Sequence, residues 1–275
     1  MPLAEKTIQT LLLFSILLPT VLLAQDTVNL SQPGSRPFLT IYRPADTKQT
    51  SHTAVIICSG GSYGRTADEE EGIPAAKFLA ANGITAFLLD YRIPQGKDSL
   101  PLADAQEAIR YVRLHAKEYH FSPAKVGIMG FSAGGHLVST IGTHWKNNYD
   151  TIQSTISTRP DFMVLVYPVI SFADSLTHLR SRSNFLGNEI TPERIKEFSN
   201  ELQVTEDTPP AFIVAAVDDG VVKVENSLYF EAALRQHHVP VEIFLYQKGG
   251  HGFGIDNKTA SVQWTDACIQ WIRKQ

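Results

Sequence analysis

The chain has 275 residues, 43% hydrophobic and 19% charged, enough to bury one substantial core but short for two domains of ordinary size. Its 24 basic and 28 acidic residues leave a formal charge of −4, which gives no electrostatic footing for nucleic acid or an anionic membrane surface. With 18 glycines, 15 prolines and 9% aromatics, collagen-like, low-complexity and disordered classes are excluded as well.

In chain order, the first feature is an apolar run from Thr10 to Ala24 behind a head carrying Lys6, ending on a small residue before Gln25 and Asp26. A membrane span needs about 20 apolar residues; this run is shorter and Pro19 interrupts it. Residues 1–24 are therefore expected to be a secretory signal peptide. Residues 25–275 would be a mature, secreted or periplasmic chain without stable membrane association. No cysteine follows the run to accept a lipid.

Short apolar runs then predict strands over 38–42, 54–58, 85–89, 126–129, 162–166, 211–217 and 241–246. Between most of them, apolar residues recur every three or four positions, predicting helices over 73–81, 102–119, 133–144, 225–237 and 259–272. Strands alternating with helices imply an α/β domain, a mostly parallel central sheet with helices on both faces. The polar stretch 171–208, with a helix start at Thr191-Pro192-Glu193, reads as a short insertion in a single domain. Cys58 and Cys268 are expected to be buried free thiols, although export would permit a disulfide. No metal-ligand spacing occurs, and neither a metal nor a cofactor is expected.

In such sheets ligands bind at the carboxyl ends of the strands. At one such end, Gly130-Phe131-Ser132-Ala133-Gly134 matches GxSxG between a strand pattern and a helix pattern, the context of a nucleophile elbow. Gly60-Gly61-Ser62-Tyr63-Gly64 matches the same pattern but runs into the polar, loop-like 65–70. Its backbone amides, in Ser59-Gly60-Gly61-Ser62, suit one side of an oxyanion hole; Ser62 as nucleophile is the weaker alternative. A serine hydroxyl needs a base to take its proton and a group to orient that base. His251, in the glycine-flanked loop after the last strand, is the candidate base. Of the two carboxylates after the 211–217 strand, Asp219 is preferred: it lies three residues past Ala216 and precedes Val221-Val222. Asp218 stays open as the alternative.

These residues resemble an α/β-hydrolase of the carbohydrate-esterase type, in the acetyl-xylan-esterase-like branch whose members often carry the label endo-1,4-β-xylanase B-like. The likeness rests on CSGGSYG (58–64), DYR (90–92), PLADAQEAIRYVR (101–113), GFSAGGHL (130–137), YP (167–168), TPPAFIVAAVDDGVVKVENS (208–227) and KGGHGFG (248–254). It implies the roles named above for Ser132, Asp219 and His251, the backbone amides of Gly61 or Ser62 and of Ala133 as oxyanion donors, and an acylated carbohydrate as substrate. Two positions depart from the branch: Ser62 stands where a third glycine is common, and Ala215-Ala216 where a His-Gly or His-Ala pair is frequent. A glycosidase would need two carboxylates flanking the scissile bond, an arrangement nothing here resembles, whereas a serine triad cleaves acyl bonds. A serine peptidase or lipase of the same fold, and a non-catalytic carbohydrate-binding descendant, are the alternatives.

Overall fold

The computed structural model describes residues 25–31, 36–45, 51–150 and 152–275, so the signal peptide expected over 1–24 lies outside the described residues. Eight strands, β1 (Gln25–Asn29), β2 (Phe38–Tyr42), β3 (Ala54–Cys58), β4 (Thr85–Asp90), β5 (Val126–Phe131), β6 (Met163–Val166), β7 (Ala211–Ala216) and β8 (Val241–Tyr246), form one sheet. Its order is β1-β2-β4-β3-β5-β6-β7-β8. The pairs β1–β2 and β2–β4 are antiparallel, and every pair from β4 to β8 is parallel. Seven helices, α1 (Ile73–Ala81), α2 (Ser99–Leu114), α3 (Ala133–Thr143), α4 (Leu179–Leu186), α5 (Pro192–Glu197), α6 (Glu225–Gln236) and α7 (Trp264–Ile272), complete the α/β architecture among the described residues.

Strands β3 to β7 are buried at every position because both faces are covered. Side chains alternate along β3: Ile56 joins the core under α2, α3 and α6, and Ile57 joins the core under α1 and α7. Each such side chain contributes about 1.5–3 kcal/mol of hydrophobic stabilisation. Strand β8 lies at the edge and is only partly buried.

Several boundaries differ from the sequence expectation. The helix expected over 102–119 runs from Ser99 to Leu114, after which the chain turns back so that Tyr119 and Phe121 pack edge-on against Phe87. The helix expected over 259–272 begins at Trp264, because Gln263 holds a loop from Asn257 through both backbone atoms of Asn257, and the Tyr246 hydroxyl accepts from Trp264 N–H. The polar stretch after Gly64 is loop only to Ala67; residues 68–72 form a π-helical turn continuous with α1. Strand β1 carries too few apolar residues to register as a strand. The 171–208 stretch contains α4 and α5, and α4 buries Ser181, Arg182, Phe185 and Leu186.

Candidate active site

Strand β5 ends at Phe131 and α3 begins at Ala133, leaving Ser132 alone in the turn at φ 50° and ψ −117°, a conformation L-residues rarely adopt. The flanking glycines are required by close approach. A Cβ on Gly130 would stand 2.2 Å from Gly134 O, and one on Gly134 would stand 2.1 Å from Cys58 O. The turn is clamped on both sides: Ser132 N–H donates to Val166 O, and Ser132 O accepts from Gly135 and Val169, each at 3.0 Å. Strain at Ser132 is thereby held by the sheet.

His251 reaches the elbow from the loop after β8. Its Nε2 lies 2.9 Å from Ser132 Oγ and its Nδ1 lies 2.7 Å from Asp219 Oδ2. The carboxylate can only accept, so Nδ1 carries the proton and Nε2 accepts from the serine hydroxyl. Asp219 is the carboxylate behind the imidazole, its side chain 2% exposed, and its Oδ1 accepts from Val221 and Val222 N–H at 2.9 Å. The alternative, Asp218, does something else. Its Oδ1 accepts from Gly249 and Gly250 N–H at 2.9 and 2.8 Å, tethering the histidine loop from one residue away.

The glycine loop faces the same point. Gly61, Ser62 and Tyr63 have φ of 111°, 59° and 57°, and a Cβ on Gly60 would stand 2.9 Å from Ser132 Cβ. The N–H groups of Gly61, Ser62 and Ala133 make no hydrogen bond to the described residues and are free to donate to a ligand. Contacts from outside help hold the loop in place: Asn184 Nδ2 of α4 donates to Ser62 O at 2.8 Å, Tyr91 OH donates to Ser59 O at 2.8 Å, and Tyr63 OH reaches His136 Nδ1 at 2.9 Å. His136 Nε2 donates to Phe198 O, so Nδ1 accepts from Tyr63, and burial pulls this imidazole down to about 3. His136 is thus a neutral core residue joining the glycine loop, α3 and the 171–208 segment.

Cys58 and Cys268 are buried free thiols, and burial pushes both upwards in pKa. Sequence reasoning missed Glu71, Tyr167 and Asn184. Glu71 sits in an acidic run that reads as a solvated loop, Tyr167 carried no assigned chemistry, and Asn184 acts through space from a polar helix. It also assigned no site placement to His178, a part-buried imidazole whose Nδ1 pairs with Ser181 Oγ at 2.8 Å and whose pKa burial lowers.

A family model described as BD-FAE matches residues 39–234. An acetylxylan esterase of Xylanibacter ruminicola is 37% identical over 83% of this chain and 46% of its own length. The endo-1,4-beta-xylanase B of Butyrivibrio fibrisolvens is 35% identical over 77% of this chain and 34% of its own. The chain thus spans under half the length of these two curated relatives. The crystal structure of an acetyl ester-xyloside bifunctional hydrolase from Caldicellulosiruptor lactoaceticus superposes with a TM-score of 0.80 at 35% identity, covering 90% of this chain and 96% of that one. With a family model matched from β2 into α6 and a fold shared almost end to end with such a relative, the chain belongs to the BD-FAE family of the α/β hydrolases.

Proposed function

We propose that this chain is a secreted serine esterase that removes an acyl group, acetyl by preference, from a plant polysaccharide or oligosaccharide. The observation that carries the reading is the continuous file of Asp219, His251 and Ser132, with contacts of 2.7 and 2.9 Å, ending on a strained serine beside unpaired amides. The names of the relatives, which join acetyl esters to xylan or xyloside, support the substrate class.

In this mechanism Ser132 Oγ attacks the ester carbonyl while His251 Nε2 takes its proton. The oxyanion that develops is met by the N–H of Ala133 and that of Gly61 or Ser62, each donor contributing about 3 kcal/mol to the transition state. His251 then protonates the departing sugar hydroxyl. Water, activated by the same imidazole, attacks the acyl-enzyme and regenerates Ser132. General-base assistance adds about 10² to 10⁴ in rate. Asp219 stays ionised throughout, fixing the tautomer and stabilising the imidazolium.

The test compares acetate release from acetylated xylan with hydrolysis of long-chain esters and peptides. Acetate release that disappears in Ser132→Ala, with little turnover of the other substrates, is expected. Preference for long-chain esters or peptides would favour a lipase or peptidase, and no turnover of any ester would leave a carbohydrate-binding descendant. Export through the 1–24 segment belongs to the same proposal; N-terminal sequencing of protein from the culture medium or periplasm is expected to begin near Gln25, and retention of Met1 in a cytoplasmic product would contradict it.

A further inference from the structure

Glu71 is a buried carboxylate that the mechanism above does not use. Its Oε2 accepts from Gly60 N–H at 2.6 Å, at the root of the glycine loop. Its Oε1 accepts from the Tyr167 hydroxyl at 3.0 Å. That hydroxyl in turn accepts from Gly254 N–H at 3.1 Å, three residues past His251, and Trp264 Nε1 pins Gly254 O at 3.1 Å. The Tyr167 ring lies 4.7 Å from the imidazole of His251, centroid to centroid. Because Gly254 N–H can only donate, the Tyr167 proton has one acceptor, Glu71; both carboxylate oxygens therefore accept, as the ionised form requires.

Desolvating a carboxyl is costly, and apolar replacement of a buried charged group is often neutral for stability, so fold maintenance alone is a weak reason for this residue. Its two partners lead to the two loops that meet at Ser132: Gly60 lies against the serine Cβ, and Tyr167 accepts from Gly254 N–H in the loop that carries the base. We propose that Glu71 is a positioning residue, a single carboxylate that holds the oxyanion loop and, through Tyr167, the histidine loop in register around Ser132; the proposal rests on the triad reading above. Burial pushes Glu71 above its ordinary value, while the hydrogen bonds from the Gly60 amide and the Tyr167 hydroxyl pull it back.

The experiment measures Glu71→Gln, Tyr167→Phe and the double variant with p-nitrophenyl acetate, with active sites counted by fluorophosphonate labelling. Phenylboronic acid, whose tetrahedral adduct resembles the intermediate, serves as the second probe. A loosened register lowers kcat per labelled site by roughly 10- to 100-fold, as sub-ångström to ångström misplacement does. KM stays within about twofold, because ground-state binding is not what is lost. The boronate inhibition constant rises in parallel with the loss in kcat. The double variant loses no more than Glu71→Gln alone, since the two residues act as one network. A merely structural role would reduce the number of labelled sites without changing kcat per site or boronate affinity, and that result overturns the proposal. Should Glu71→Gln fail to fold, Tyr167→Phe carries the test alone: roughly tenfold lower kcat with weakened boronate binding supports it, and wild-type values overturn it. If the wild-type enzyme does not label at Ser132, the triad reading fails instead.

Discussion

Replacing Asp219 by Asn tests whether the carboxylate works through the tautomer of His251. In the native site Asp219 Oδ1 accepts from Val221 and Val222 N–H and Oδ2 accepts from His251 Nδ1. In Asp219→Asn the amide oxygen must stay on the two backbone donors, where an NH₂ group would leave both unpaired, so the amide nitrogen turns towards His251. Nδ1 then has to accept, the imidazole proton moves to Nε2, and the atom 2.9 Å from Ser132 Oγ can no longer take the serine proton. The expected loss is about 10³ to 10⁴ in kcat, or about 4 to 5.5 kcal/mol of transition-state stabilisation. Stopped assays with p-nitrophenyl acetate, alongside circular dichroism to confirm the fold, measure it. Asp218→Asn is the internal comparison, because its oxygen can still accept from Gly249 and Gly250; its loss should stay under about tenfold. A wild-type kcat in Asp219→Asn, or a larger loss in Asp218→Asn, would refute the assignment.

Gly134→Ala places a Cβ 2.1 Å from Cys58 O and 2.6 Å from Ser59 O, and should cost about 3 kcal/mol in urea unfolding, against less than about 0.5 kcal/mol for Gly220→Ala, where nothing lies within 4 Å. Arg92→Ala strips the fully buried Asp104 of its guanidinium partner, leaving only the Arg92 backbone N–H on it, and should destabilise by about 3 kcal/mol in the same assay. His136 sits at about 3 in the folded chain and at about 6.5 when unfolded. The unfolded state binds the extra proton, so this residue's contribution is complete above about pH 6.5 and declines by up to about 1.4 kcal/mol per pH unit below it. The stability difference between wild type and His136→Gln should therefore narrow from pH 7 to pH 5, and a constant difference would contradict that linkage.

The central strands were legible because covering a sheet on both faces removes polar residues from them: AVII of β3 and MVLV of β6 are buried at every position. The elbow was legible for a similar reason, since Gly130 and Gly134 stand where another chain segment leaves no space for a Cβ, and the glycine-flanked loop after the last strand then pointed to His251. What escaped is polarity that folding buries. Helix α4 hides Ser181 and Arg182 by bonding them to His178 and to Phe172 O, so its sequence lacks an apolar stripe. Glu71 follows Asp68, Glu69 and Glu70 and looks solvated until the turn rotates it under Gly60. Spacing past Ala216 favoured Asp219, the carboxylate that faces the imidazole, but could not show that the adjacent Asp218 turns to the amides of Gly249 and Gly250.

The most direct test of the central claim is mass spectrometry of the enzyme after treatment with a fluorophosphonate. The account predicts one adduct per chain, on the peptide carrying Ser132, lost in Ser132→Ala and slowed severely in His251→Ala. An adduct on Ser62 or any other residue, or unchanged ester turnover in Ser132→Ala, would contradict it.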